Sequence, residues 1–360
     1  MENNNEKIIQ VISLFRHGRR NCFLNFDTNE FFSADLCPES LNITINKGKK
    51  FIEKYFSHFT SPFNSKDFKC FISDTIRTIK TIIYRLSDLI PNSDFKSMNQ
   101  NELKDFTIKN IPNAVYDDKI FMSYIYCCLI SAKYCNKDPN YINLFKEVEA
   151  EISKKSKKAL ELYKKYLDNP VLKGKEYEYF KLSYIYDFLF YSSKEIQEQF
   201  NEEQLIIKNI FGELDVGKRM NDIDLNNKNV NLCFSHQLMY NIYEEIQKMK
   251  NNSEEQKKII LFSAHDLYLI SLLNFLEVDK SKYKYDFDDE INFIIFKKKN
   301  DDKLYFRAEY NDEVLKINKD KQKECELDNI LEKMKKEYLF CSYEDIKNFC
   351  EFRSEKEFFN

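Results

Sequence analysis

The chain has no tryptophan, and among its 360 residues there are only 5 glycines, 6 prolines and 4 histidines. A skew toward Asn, Lys, Ile, Phe and Tyr runs from end to end, so it reads as genome-level bias and carries little functional signal. Neither sign of charge is in excess: 56 basic and 59 acidic residues leave a net charge of −3. A general nucleic-acid binder shows a basic excess on one face, so that class is disfavoured and any attraction for an anion has to be local. Long apolar runs are missing as well. None nears the ~18 residues of a membrane span, and the most apolar aromatic stretch, 184–191, is interrupted by Asp187. Residues 1–7 lack the apolar centre of about 7–15 residues that a secretory leader carries, which sets the expectation of a cytosolic protein. The ten cysteines form no C-x-x-C pair and no Cys/His zinc spacing, and no carboxylate cluster suggests a metal site.

What is present is a globular balance, 43% hydrophobic and 32% charged, in a chain long enough for one large α/β domain or a core with an insertion. Residues 7–15 are mostly apolar and β-branched, as a buried central strand is. They run into Arg16-His17-Gly18-Arg19-Arg20, where two of the rarest residue types stand together between three arginines. A second strand, 68–73, ends in Ser73-Asp74-Thr75-Ile76-Arg77-Thr78, and helical spacing of Ile79, Ile82, Ile83 and Leu86 follows until Pro91. A third, 258–262, ends in Ser263-Ala264-His265-Asp266, followed by Leu267, Ile270 and Leu273 at helical spacing.

Between these landmarks, 21–45 reads as loop and 46–56 as an amphipathic helix. From 91 to 229 helical periodicity dominates and strand-like runs are scarce. A helix over 237–249 returns to core-like sequence, 291–297 and 303–310 read as a hairpin, and the tail from 318 is charged and helical. The fold class is therefore α/β, a three-layer α/β/α core around a central mixed, mostly parallel sheet. The catalytic core is discontinuous, 7–90 and 230–317, with 91–229 as an inserted helical cap and 318–360 as a tail packing on the core.

Strand ends followed by tight turns are where α/β sheets place their chemistry. Parallel strands would bring the three turns to one edge, gathering arginines, two histidines and a carboxylate. Guanidinium groups match two phosphate oxygens at once. Histidine can attack phosphorus, a protonated Asp can supply the leaving oxygen with its proton, and helix N-termini favour an anion.

At this point the sequence resembles the histidine acid phosphatases of the histidine phosphatase superfamily. Arg16-His17-Gly18-Arg19-Arg20-Asn21-Cys22 is similar to the motif R-H-G-x-R-x-P, with Cys22 in the place of the proline. Ser73 to Thr78 resembles the serine-bearing turn ending in R-T, and Ser263-Ala264-His265-Asp266 the S-x-H-D motif. Tyr310-Asn311 resembles the Tyr-Asn turn after the last core strand, and Cys325 and Cys341 the cysteine-bearing tail.

The resemblance implies a phosphomonoester hydrolase with His17 as the nucleophile that becomes phosphohistidine and Asp266 as the proton donor. Arg16, Arg20, Arg77 and His265 would hold the phosphoryl oxygens. The three arginines would stand in for the metal that many phosphotransferases use, so no cofactor is expected, and the partner is a small phosphate ester. An acidic optimum follows, because Asp266 must hold a proton while His17 keeps an unprotonated nitrogen. Two other readings stay open: a phosphotransferase or mutase of the same superfamily, and a catalytically silent phosphate-binding protein. The bland roles are equally definite. Asp266 would cap a helix, Arg77 would pair with Asp74, Arg19 would face solvent, and His58 and His236 would be structural. Cys325 and Cys341 would be bonded as in secreted relatives, or remain thiols. Relatives of this family are mostly secreted or lysosomal, against the cytosolic reading of the N-terminus. The identity of the ester and the oligomeric state are beyond the sequence.

Overall fold

The structure, a computed structural model, describes residues 6–31, 35–59, 67–91, 94–95, 97–116, 138–172, 180–226, 228–279, 282–318, 321–342 and 344–345. The chain starts with β1 (Glu6–Arg16), the short pair β2 (Leu24–Asn25) and β3 (Glu30–Phe31), α1 (Pro38–Tyr55), β4 (Phe68–Ile72) and α2 (Ile76–Arg85). Then come α3 (Gln100–Asn110), β5 (Ala114–Tyr116), α4 (Pro139–Lys155), α5 (Lys157–Leu167), α6 (Phe180–Tyr191), α7 (Lys194–Glu198) and α8 (Glu202–Glu213). The remainder is α9 (Val216–Asn226), α10 (Lys228–Lys250), β6 (Ile259–Ala264), α11 (Asp266–Phe275), β7 (Glu290–Lys298), β8 (Leu304–Tyr310), β9 (Glu313–Val314), β10 (Cys325–Glu326) and α12 (Leu327–Glu337).

Two compact units form. Among the described residues the first takes those within Met1–Gly18, Pro38–Ser123 and Phe234–Ile346, the second those within Arg19–Cys37 and Tyr124–Cys233. The first unit is built on one mixed sheet with strand order β10-β8-β7-β1-β6-β4-β5, with β9 on the far side of β8. β1 lies parallel to β6 and antiparallel to β7, and β6-β4-β5 continue in parallel. β6 is buried along its whole length and β1 from Gln10 onward, which is why both read as nearly unbroken apolar runs. The polar exception, Gln10, is fully buried and donates through Nε2 to the carbonyls of Glu245 and Lys257 at 3.2 and 2.7 Å.

The helix expected over 46–56 starts earlier, at Pro38. Proline is at home in a first turn, where its missing N–H has no partner to lose. The β-branched and Asn-rich stretch that follows is a poor helix former by propensity. Tertiary burial overrides it: Ser40, Thr44, Gly48, Phe51 and Tyr55 form one buried face. At Gly48 a Cβ would stand 2.1 Å from the carbonyl oxygen of Arg85, so α1 meets the end of α2 backbone to backbone. α2 itself ends at Arg85, with Leu86 as its C-cap, six residues ahead of the Pro91 expected to stop it. β8 turns into β9 through Asn311 and Asp312, both at positive φ (46° and 71°), the backbone of a two-residue hairpin turn.

The stretch 91–229 is not wholly helical. β5 lies within it and joins the sheet beside β4, pairing Cys70 with Ala114 and Ile72 with Tyr116. In the second unit α4, α5, α6 and α8 pack around Leu144, Tyr163, Phe188 and Phe211, joined by Cys22, Leu24 and Phe26 from the segment after the first turn. In the tail, β10 extends the sheet beside β8 and α12 follows it. Cys325 is a buried thiol, so no disulfide ties it to Cys341; Cys350 lies outside the described residues. Among the described residues no helix is long and apolar enough to cross a membrane.

Candidate active site

The register of the sheet brings three turns together. Arg16 is paired with Ala264, the residue before His265, and Ile72, the residue before Ser73, is paired with Ser263. The turns are then tied across the edge by main-chain bonds, His17 N–H to Ala264 O at 3.0 Å and Ser73 N–H to Ser263 O at 3.1 Å. Arg16, His17, Arg77, His265 and Asp266 all belong to this edge of the first unit, and the first four are buried.

His17 is 3% exposed, and its Nδ1 lies 2.8 Å from the Gly18 carbonyl oxygen. A carbonyl only accepts, so Nδ1 carries the ring proton and Nε2 keeps its lone pair. The Gly18 N–H donates to the Thr81 hydroxyl at 2.9 Å, which fixes the turn from the α2 side. The His265 ring stands edge-on to that of His17, centroids 5.4 Å apart. Arg77 Nη2 approaches His265 Nδ1 at 3.5 Å, and Nε2 of the same ring lies 3.0 Å from the Ser73 hydroxyl. A guanidinium only donates, so Nδ1 is the acceptor and Nε2–H donates to Ser73. Asp74 is engaged by Lys104 and Gln100 at 2.5 and 2.8 Å, not by the Arg77 pairing weighed above.

Asp266 is the first residue of α11, with His265 in the capping position that had been considered for Asp266. Its side chain is 26% exposed, accepts the Leu267 N–H at 3.0 Å and pairs with Arg16 Nη2 at 3.1 Å. The same guanidinium donates through Nη1 to the Tyr285 carbonyl at 2.5 Å and lies over the Phe287 ring, 4.0 Å from its centroid.

Residues 285–290, passed over in the sequence, form the back of the site. The Asp289 carbonyl accepts from Arg16 N–H at 2.9 Å, and Asp288 N–H donates to the His17 carbonyl at 3.3 Å. Arg85 holds this segment through the Asp288 carbonyl at 2.8 Å and the Glu290 carboxylate. Tyr310 and Asn311, from the Tyr-Asn turn, donate to the Asp289 carboxylate at 2.6 Å each. Burial and the adjacent Asp289 charge raise the Tyr310 phenol above its ordinary range, which keeps it a donor. Burial likewise raises the Asp288 carboxyl. The signal for this segment was available: a run of acids precedes β7, and an antiparallel strand presents its start at the edge where its parallel neighbours end.

Arg20 falls in the second unit. It is 7% exposed, its Nη2 pairs with Asp187 Oδ1 at 2.5 Å, and its guanidinium lies 3.6 Å from the Phe23 ring centroid. Cys22, at the place of the motif proline, is fully buried beside the Ser192 hydroxyl at 3.4 Å, and burial raises its thiol. Arg19 is exposed. His58 is exposed, and His236 is buried with Nε2 2.8 Å from the Cys341 carbonyl. Among the described residues no group of three His, Cys, Asp or Glu side chains is placed to hold a metal ion.

No family model matches the chain, and no curated protein does. Solved structures do. The phytase of Hafnia alvei is 12% identical with a TM-score of 0.61, covering 94% of this chain and 98% of its own. The phytase of Citrobacter braakii is 12% identical with a TM-score of 0.60, covering 92% and 98%. The multiple inositol polyphosphate phosphatase of Bifidobacterium longum, in complex with inositol hexasulfate, is 10% identical with a TM-score of 0.56, covering 89% of each chain.

Proposed function

We propose that this chain, which has the histidine acid phosphatase fold, hydrolyses phosphomonoesters through a phosphohistidine on His17. The observation that carries the reading is the tautomer of His17. Its Nδ1 proton is committed to the Gly18 carbonyl, which makes Nε2 the nitrogen that would attack.

A phosphoryl group entering the edge meets Arg16 and Arg77, whose positive charge and N–H groups match its equatorial oxygens, and His265 joins them by giving up the N–H bond it makes to Ser73. Arg20 is a further ligand by its place in the motif. Nε2 of His17 attacks phosphorus, the P–O bond to the alcohol breaks, and the Asp266 carboxyl gives its proton to the departing oxygen. Asp266, now a carboxylate, takes a proton from water as that water attacks the phosphohistidine. The P–N bond breaks, His17 is restored and inorganic phosphate leaves. Asp266 pairs with Arg16, and the incoming phosphoryl group competes for that guanidinium, which leaves the carboxyl to the leaving group.

The names of the structural neighbours make inositol polyphosphates the first substrates to try. The test is turnover of a generic aryl phosphate and of an inositol polyphosphate across pH 4–8, wild type against His17→Ala. The variant is expected to lose all turnover; wild-type rates from it would refute the mechanism.

A further inference from the structure

The phosphate loop does not end at Gly18. Its second half, Arg19 to Phe23, runs through the second unit, where the stiffening proline of R-H-G-x-R-x-P is replaced by Cys22. A cysteine leaves φ free where proline fixes it, so something else has to hold Arg20. One carboxylate on α6 contacts it. Asp187, 5% exposed, receives Arg20 Nη2 on Oδ1 and the Phe23 N–H on Oδ2, each at 2.5 Å. It therefore clamps the side chain of Arg20 and the main chain three residues further on with one rigid group. Both bonds are charge-assisted and short, the strong class of hydrogen bond. The clamp is closed on other sides by Arg20 Nη1 donating to the Asn21 carbonyl at 2.8 Å and by the Phe23 ring under the guanidinium. Just past the end of α6, the Ser192 hydroxyl reaches Cys22 itself. Asp187 occupies one Nη2 hydrogen and leaves other N–H groups of the fork for a ligand.

We propose that Asp187 is the positioning residue for Arg20, doing from α6 what the motif proline would do from within the loop. This rests on the phosphatase reading for the role of Arg20. A guanidinium held on one side by a carboxylate and underneath by a ring has lost most of its rotamers before phosphate arrives, and a misplacement of about 1 Å in such a group costs on the order of a hundredfold in rate.

The measurements are inorganic phosphate affinity by calorimetry, kcat and KM for an aryl phosphate, and thermal midpoint, for wild type, Asp187→Asn, Asp187→Glu, Arg20→Ala and the Arg20→Ala/Asp187→Asn double variant. Asp187→Asn is expected to stay folded while phosphate affinity and kcat each fall roughly tenfold to a hundredfold, with partial recovery in Asp187→Glu. In the Arg20→Ala background the Asn substitution should change neither further, because the residue acts through Arg20. Wild-type phosphate affinity in a folded Asp187→Asn protein, or losses that multiply in the double variant, would overturn the inference. Should Asp187→Asn not fold, the wild type decides by nitrogen NMR of the Arg20 guanidinium, assigned by its loss in Arg20→Lys. Hindered rotation about Cζ–Nε supports the clamp and free rotation rejects it. A wild-type chain that neither binds phosphate nor turns over ester overturns the phosphatase reading and this inference with it, whereas normal wild-type chemistry with an indifferent Asp187 overturns the inference alone.

Discussion

Whether an ester needs a proton on its leaving oxygen depends on the alcohol, and that separates Asp266 from His17. An alkoxide is too basic to leave unaided, while a nitrophenolate leaves well without help. Asp266 opens α11 with its side chain a quarter exposed and its Oδ2 3.1 Å from Arg16, the arginine proposed to bind phosphate. General acid catalysis is worth about 10²–10⁴ in rate. Asp266→Asn is therefore expected to lose on that order with an alkyl phosphate and much less with p-nitrophenyl phosphate, measured as kcat/KM for both at one pH. Equal losses on the two esters would assign Asp266 to binding and not to proton transfer.

At the scale of the element, what was legible was whatever lay in one contiguous stretch. The three turns were found because each strand run is apolar for its own burial and each turn is polar for its own chemistry, and β1, β4 and β6 end within two residues of the expected positions 15, 73 and 262. Residues 285–290 were missed because their role comes from pairing: the register of Phe15 with Glu290 brings the start of β7 to the site, and their run of acids acquires its meaning only once β7 is known to lie antiparallel to β1. Asp187 was read as a blemish in an aromatic stretch, and only the folded chain shows Arg20 against it. α1 was shortened for a third reason, that its buried face outweighs poor propensity.

The 285–290 segment also carries a consequence for pH. Thr44 Oγ1 lies 3.0 and 2.9 Å from the two Asp288 oxygens and 3.1 Å from the Ser40 carbonyl. A hydroxyl has one hydrogen, and all three groups are satisfied together when a protonated Asp288 donates to Thr44 and Thr44 donates to Ser40. Burial raises the Asp288 carboxyl in the folded chain, against the pull of Arg85 and Lys47. A raised folded value means that this group's stabilisation is complete below the ordinary carboxylate range and is lost as pH climbs through the folded value. Asp288→Asn keeps a donor to Thr44 and cannot ionise. The melting temperature of Asp288→Asn relative to wild type is thus expected to rise between pH 4 and pH 8. A difference that stays flat, or falls, would show that Asp288 is charged in the folded protein throughout.

At the scale of the whole molecule the site is assembled from the two ends of the chain. β1 spans Glu6–Arg16, and both of its neighbours come after residue 258: β6, paired from Val11–Ile259 to Arg16–Ala264, and β7, paired from Glu6–Lys298 to Phe15–Glu290. Four of the six proposed site residues, Arg16, His17, Arg20 and Arg77, lie before residue 91, yet the bonds that aim Arg16 and His17 run to Ala264, Tyr285, Asp288 and Asp289. Closing loops of this length costs entropy before any contact repays it, so β1 gains its place only when the last third of the chain has arrived. A chain ending at Lys250 keeps those four residues but leaves β1 without either neighbour and its apolar face open. It is expected to show no phosphate binding by calorimetry. Phosphate binding by that fragment near wild-type affinity would mean that the arginine turn organises itself, and that the sheet register is not what places His17.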